Sequence, residues 1–426
     1  MKPLLSNASL VLRETGLLMI RKVKRFLWIL LNSPLLVAVI PIVLAIRVVR
    51  PWLLVRFGNI ISARIGHFTA NTELYLCEYE AGINRPAQRH IDIFYNSRLV
   101  SNVQLTKMWK RVIHLWPTWF IAPIVRINRL VPGSAIHEVD ASVQEDRDVY
   151  NLMDKTPPHL EFNEKEVLRG QTSLELMGIP QGAPYVCLTA RDSAYLESQF
   201  KGLDQSGHNY RDVDVQNYVL AAEELASRGY YVLRMGAKVK EPINSRHPMV
   251  IDYATNGMRS DFMDIYLGAN CTFCISCGTG FDGIPYIFRR PIAYVNMVPV
   301  GYFYTFSNRF LGIFKHHFST KSDQNLSLRE ILTIGVGLSM HTSDYDSKDI
   351  MLVENTPEDI RDLVIEMHER INGIWQAHDG DELLQQKFWE IFPTEALDEF
   401  KGRPLHGAIH SRFGASFLRN NRWWLE

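Results

Sequence analysis

Between Ala183 and Asn296 short apolar runs alternate with longer amphipathic ones, and this alternation narrows the fold more than any other feature of the chain. APYVCLTAR, YYVLRMG, PMVIDY, CTFCIS and PIAYVN have the length and the β-branched, aromatic content of strands. VQNYVLAAEELASRG and MRSDFMDIYLGA carry helical periodicity, the first with a glycine stop, and FDGIPYIFRR predicts a short helix. Strand and helix in alternation at this spacing imply parallel βαβ units, hence an open doubly wound sheet. Further on, TPEDIRDLVIEMHERINGIW predicts a helix with Thr356 as N-cap, Pro357 at the first helical position and acids in the first turn.

A second α/β region precedes this one. PWLLVRF, from Pro51 to Phe57, has strand character, and GNIISARIGHFTANTELYL continues it as loop and helix. The polar stretch Glu138 to Glu166, with ASVQEDRD and KTPPH in it, marks a domain boundary. A chain of 426 residues has room for two domains, each with its own core. The expected division is a Rossmann-like domain over 51–175, a second over 176–378, and a tail over 379–426. That tail ends in RFGASFLRNNRWWL, too aromatic and polar for a frayed end, and is expected to pack back on the body.

The first fifty residues have another character. Phe26 to Ile46 (FLWILLNSPLLVAVIPIVLAI) is an uncharged run about long enough to cross a bilayer core, interrupted by Pro34 and Pro41. Arg21, Lys22, Lys24 and Arg25 precede it, and Arg47 and Arg50 come after it. Basic residues on both ends favour a re-entrant hairpin with both ends on the cytoplasmic face over a single span. A buried helical hairpin is the bland alternative. Between Thr106 and Leu130, Trp109, Trp116 and Trp119 stand among Lys107, Lys110 and Arg111, which suits either a membrane interface or an amphipathic core helix. The charge count is balanced, 46 Lys+Arg against 46 Asp+Glu, so no global field points to nucleic acid as a partner.

Cys271, Cys274 and Cys277 in NCTFCISCGTGFDGIP have the opening spacing of an iron–sulfur ligand run. A strand advances about 3.3 Å per residue and alternates faces, so on CTFCIS these thiols cannot converge on one cluster. The expectation is a core strand with no metal and no cofactor.

The segment after that strand carries more information. Ser276, Gly278, Thr279 and Gly280 lead into a short helix, a pattern that lets backbone N–H groups approach an anion. Two other strand ends carry matching chemistry: Arg191, Asp192 and Ser193 after VCLTA, and Arg234 and Lys238 around YYVLRMG. Three such loops on one edge of a parallel sheet suit a diphosphate. Asp282 is a candidate for ribose or sugar hydroxyls, and His316 for contact with the donor. For catalysis the candidates are His67 in RIGHFTANTE, as general base, and Glu73 as its rival.

At these residues the chain resembles a family of bacterial glycosyltransferases of GT-B architecture found in loci for surface polysaccharide. The matching stretches are GHFTANTELYLCEYEAG, HNYRDVDVQNYVLAAEELASRGYYVLRMG, YATNGMRSDFMDIYLGANCTFCISCGTGFDGIPYIFRRPIAYVN, KHHF, NLSLREI and the C-terminal RFGASFLRNNRWWL. The resemblance implies two doubly wound domains facing a cleft, a nucleotide-sugar donor bound mainly by the C-terminal domain, and transfer without a metal chelated between phosphates. Taken with the N-terminal apolar run, it leads to the expectation of a membrane-associated glycosyltransferase with a lipid-linked or polysaccharide acceptor, at the cytoplasmic face of the bacterial inner membrane. A nucleotide-sugar epimerase of the same fold and a non-catalytic assembly scaffold are the rival readings.

Overall fold

The computed structural model describes residues 34–139, 145–199, 204, 206–398 and 402–426. In its first third the elements are α1 (Pro34–Ala38), α2 (Ile40–Val49), β1 (Leu54–Ile60), α3 (Ile65–Glu80), β2 (His90–Asn96), α4 (Val103–Val112), β3 (His114–Leu115), α5 (Thr118–Asn128) and β4 (Glu138–Val139). Then come β5 (Tyr185–Leu188), α6 (Val219–Ser227), β6 (Tyr231–Arg234), β7 (Val250–Ile251), α7 (Asp261–Asn270), β8 (Phe273–Ser276), α8 (Gly283–Ile287) and β9 (Ile292–Met297). The last third holds β10 (Phe310–Phe314), β11 (His316–Ser319), β12 (Gln324–Asn325), β13 (Ile350–Val353), α9 (Pro357–Ile371) and β14 (Arg412–Phe413).

These elements form two compact units, and the division does not follow the domain boundaries expected from sequence. The smaller holds the described residues 34–61, 85–99 and 113–139; the larger holds 62–84, 100–112 and the described residues from 145 on. Helices α3 and α4, expected within 51–175, therefore belong to the larger unit.

The smaller unit is a four-stranded parallel sheet in the order β3-β2-β1-β4. Its core gathers Leu36, Val39 and Val43 from the α1–α2 region, Phe57 and Tyr95 from the sheet, and Ile121, Ile124, Val125 and Ile127 from α5. This revises the hairpin expected over Phe26–Ile46, of which residues 26–33 lie outside the described part. From Pro34 on, the run is two short helices with one face committed to a protein core. No helix among the described residues is long and apolar enough to cross a membrane.

The larger unit is built on seven parallel strands in the order β14-β10-β9-β8-β5-β6-β7, with a small antiparallel sheet β12-β11-β13 beside them. Every residue of β5, β8, β9 and β10 is buried, as strands covered on both faces must be. Thr356 caps α9 as its sequence predicts: its side chain accepts from the Asp359 N–H at 3.1 Å while Asp359 accepts from the Thr356 N–H. The tail joins this unit through β14, which extends the sheet beside β10, and through Trp424, whose ring lies among Phe314, Phe388 and Phe413.

From β5 the chain winds outward through β6 and β7, then returns and winds the other way through β8, β9 and β10. The sheet thus reverses direction between β5 and β8. In open parallel sheets the crevice beyond the carboxyl ends of such a pair is where ligands bind, because the two departing loops diverge there.

Candidate functional site

At the reversal the two loops are tied together. Thr189 donates to the Ser276 hydroxyl at 3.2 Å, Thr279 donates to Thr189 at 3.3 Å, and the Arg191 N–H meets Cys277 Sγ at 3.2 Å. Ser276 in turn donates to Asp282 Oδ2 at 2.8 Å and accepts from the Gly278 and Thr279 N–H groups at 3.1 and 3.4 Å. The amide groups expected to cradle a phosphate are therefore turned inward onto Ser276. Burial pushes the Asp282 carboxyl up to about 7, against the hydrogen bond from Ser276.

Gly280 has a different reason from the one its sequence suggested. A Cβ there would lie 3.2 Å from Ile65 Cγ2 and 3.3 Å from the Gly66 nitrogen, and one at Gly283 would lie 2.3 Å from the Thr69 hydroxyl. Both glycines let the β8 loop and α8 approach the first turn of α3. At Gly278, by contrast, φ is +75°, a backbone state that the missing Cβ makes accessible.

Cations collect around this edge. Arg191 donates through Nη1 to the His208 carbonyl at 2.9 Å and to Asp212, while its Nη2 is buried with no hydrogen-bond partner. Lys315, just past the end of β10, donates to the Asp212 carbonyl at 2.6 Å. The His208 imidazole is held below its usual value by burial and then by Arg211, Arg191, Arg64 and His341, so all four basic groups lie within electrostatic reach of it. Arg211 also acts on Asp282, which ties this cluster to the β8 loop. Arg64 is the N-cap residue of α3, and no side chain caps that helix. An excess of positive charge beside an uncapped helix N-terminus is suited to an anion.

Other predicted residues have structural partners. Asp192 accepts from the Ala194 and Lys240 N–H groups at 2.9 and 2.8 Å. Ser193 donates to Glu197. Arg234 is fully buried between Asp192 at 4.0 Å and Asp252 at 3.5 Å, closed to a ligand at the surface, whereas Lys238 is exposed in the loop after β6. His316 stacks on Phe417 with ring centroids 5.1 Å apart, and burial lowers its affinity for a proton. His67 lies in the first turn of α3 rather than in a loop, and its Nδ1 is buried without a partner.

Glu73 is not placed to serve a substrate. Its side chain is completely buried and accepts from Arg289 Nη2 at 2.6 Å. With Cys77 and His159 it forms a cluster of potential metal ligands within 4.8 Å of one another. Two observations make this an ion-pair network instead. Arg289 already lies against both Glu73 and, at 3.8 Å, Cys77 Sγ. Against the effect of burial, hydrogen bonds to Cys77 and Glu73 push the His159 imidazole up to about 10, as an imidazolium paired with Glu73 requires. The three closely spaced cysteines are buried too and face separate partners: Cys271 donates to the Gly268 carbonyl, Cys274 lies within β8, and Cys277 receives the Arg191 amide.

Arg64, His208, Arg211, Lys315 and His341 are the residues that sequence reasoning did not single out. The available signal was HNYRDVD, which places a histidine and an arginine three residues apart in the connection between β5 and α6.

No family model matches the chain, and no curated protein matches its sequence. Among solved structures it is similar to the E. coli ADP-heptose LPS heptosyltransferase II, at 14% identity and a TM-score of 0.38, over 61% of this chain and 90% of that one. It is similar also to a glycosyl transferase family 9 protein from Veillonella parvula DSM 2008, at 9% identity and a TM-score of 0.38, over 57% and 80%. A third is the dodecameric iron-containing heptosyltransferase TibC in complex with ADP-D-beta-D-heptose, at 9% identity and a TM-score of 0.34, over 74% and 76%. At these scores the likeness carries no inference about the chemistry of this chain.

Proposed function

We propose that this chain is a glycosyltransferase that binds a nucleoside-diphosphate sugar at the β5–β8 reversal and passes the sugar to a lipid-linked or polysaccharide acceptor. The observation that supports it is the surplus of cations at that edge, with a buried guanidinium nitrogen of Arg191 still unbonded. A departing nucleoside diphosphate develops negative charge in the transition state. Preorganised arginines and a helix N-terminus stabilise such charge without a metal ion. In this reading Arg191, Arg211 and Arg64 hold the diphosphate, and Thr279 and Asp282 stand beside the sugar. His67, in the first turn of the same helix that Arg64 opens, is the general base. The reaction takes place at the cytoplasmic face of the bacterial inner membrane, where acceptor and donor meet.

A thermal-shift screen of nucleoside diphosphates and nucleotide sugars, run with a chelator, tests this because a ligand that binds the folded state raises its melting temperature. A hit with one nucleotide, together with release of its diphosphate when acceptor lipid extract is added, supports the reading. A protein that no nucleotide stabilises would leave the cation cluster to some other anion.

A further inference from the structure

α2 is apolar on both sides. Val43 on the inner side is in the core, while Leu44, Val48 and, just beyond the helix, Trp52 are 57%, 69% and 71% exposed. A spacing of four places Leu44 and Val48 in one stripe along the helix, and Trp52 follows in the turn beyond its end. The neighbouring α5 repeats the pattern: Ile121, Ile124 and Val125 are buried, and Trp119 is 69% exposed with its ring edge-on to Phe120. A helix that is hydrophobic all round in a soluble unit is normally buried on all sides. Here one side is bare.

The charge of the same unit gives the second half of the observation. Its described residues contain eight arginines, no lysine and two carboxylates, Asp92 and Glu138. Both carboxylates are already paired, with Arg56 at 2.5 Å and Arg129 at 2.7 Å. Arg50, Arg89, Arg98 and Arg126 are exposed. The chain's overall charge of zero conceals a strongly basic unit with an apolar stripe and two bare indoles.

We infer that the outer face of α2, with the exposed Trp52 after it and the exposed Trp119 of the neighbouring α5, is a docking surface for an anionic lipid bilayer. The helix lies in the plane of the interface: Leu44 and Val48 enter the acyl boundary, the indoles settle at headgroup depth, and the arginines meet lipid phosphates. The inner face stays in the protein core, so the contact needs no crossing of the bilayer. This deepens the membrane part of the function proposed above and rests on that part alone, since it uses none of the residues assigned to the donor.

The test is sedimentation of the full chain with vesicles of phosphatidylglycerol and phosphatidylethanolamine, and with vesicles of phosphatidylcholine, at two salt concentrations. Partition into the anionic vesicles is expected to exceed that into the neutral ones, to weaken with salt, and to fall about tenfold or more in the triple variant Leu44→Ser, Val48→Ser, Trp52→Ser. All three side chains are exposed, so circular dichroism should show an unchanged fold. Brominated lipid should quench tryptophan fluorescence in the unaltered protein and less in the variant. Equal partition of variant and unaltered protein would overturn the inference and assign any membrane binding to another segment, such as residues 1–33. Failure of the unaltered protein to sediment with anionic vesicles would overturn it too. Nucleotide-induced thermal shifts measured on the same variant keep this outcome separate from that of the transferase reading.

Discussion

The two units differ in where some of their arginines end. In the larger unit Arg147 and Arg289 are drawn inside and bonded: Arg147 donates to the carbonyls of Tyr302, Phe303 and Leu405 with its guanidinium over the Phe306 ring, and Arg289 lies against Glu73. In the smaller unit Arg50, Arg89, Arg98 and Arg126 stand at the surface, and both of its described carboxylates are taken by Arg56 and Arg129. A buried guanidinium needs full pairing because desolvation is costly, so its position specifies structure. An exposed one costs little and can meet an outside anion. The edge at Arg191 and Arg211 falls between the two: it is enclosed enough to be strong, with Arg191 Nη2 and Arg211 Nε still unmatched. That intermediate state separates a binding site from both a core and a solvated face.

The sharpest way to break this comparison is to remove one partner of a saturated pair. Glu73→Ala should destabilise the protein by about 3–5 kcal/mol, because Arg289 is left buried without its carboxylate. Urea denaturation measures it, and a variant that folds normally but loses only turnover would return Glu73 to the role of catalytic base.

Gly280→Val comes next. Overpacking against the first turn of α3 should cost about 1–3 kcal/mol, read as a lower melting temperature before any ligand is added. A loss of nucleotide binding with no loss of stability would instead favour direct contact between Gly280 and phosphate.

Titration of Asp282 gives an effect that is small per pH unit. Its folded-state value of about 7 lies above the ordinary 3.8, so the folded protein holds a proton that the unfolded chain releases. Stability from this group is full below about pH 4 and is lost as pH rises towards 7, with a slope of about 1.4 kcal/mol per pH unit at most. Asp282→Asn should flatten that slope in melting curves taken across the range. An unchanged slope would mean that the carboxyl is solvated.

The smallest effect belongs to the smaller unit. Arg50→Ala should change stability by no more than about 0.5 kcal/mol, since the side chain is exposed and its loss leaves nothing buried unpaired. A larger loss by denaturation would show that the basic face is part of the fold after all.

Much of the larger unit was legible. β5, β6, β8 and β9 fall where the apolar runs are, and Thr356, Pro357 and Asp359 start α9 as local chemistry dictates. Those features depend on neighbours in sequence. What depended on distant partners was not legible. Helix periodicity puts Glu73 and Cys77 on one face of α3, yet only the fold brings Arg289 and His159 against them. The glycines of the β8 loop are flexible in any sequence reading, and only the approach of α3 shows that packing requires them. His208 and Arg211 lie in a connection with no periodicity, so nothing local indicates which way they face. The apolar run at the N-terminus was recognised as unusual, but hydropathy alone cannot distinguish a helix buried on one side from one buried on both.

The proposed function requires the cation cluster at the β5–β8 reversal to bind a nucleoside diphosphate without a metal. Calorimetric titration of the nucleotide found by the thermal screen, in the presence of a chelator, into the unaltered protein and into Arg211→Ala tests it most directly. Binding by the unaltered protein is expected, with a loss of about 2 kcal/mol, roughly thirtyfold in affinity, in the variant, as for one hydrogen bond to a charged group. Binding that requires added divalent metal, or that Arg211→Ala leaves undiminished in a normally folded protein, would contradict it.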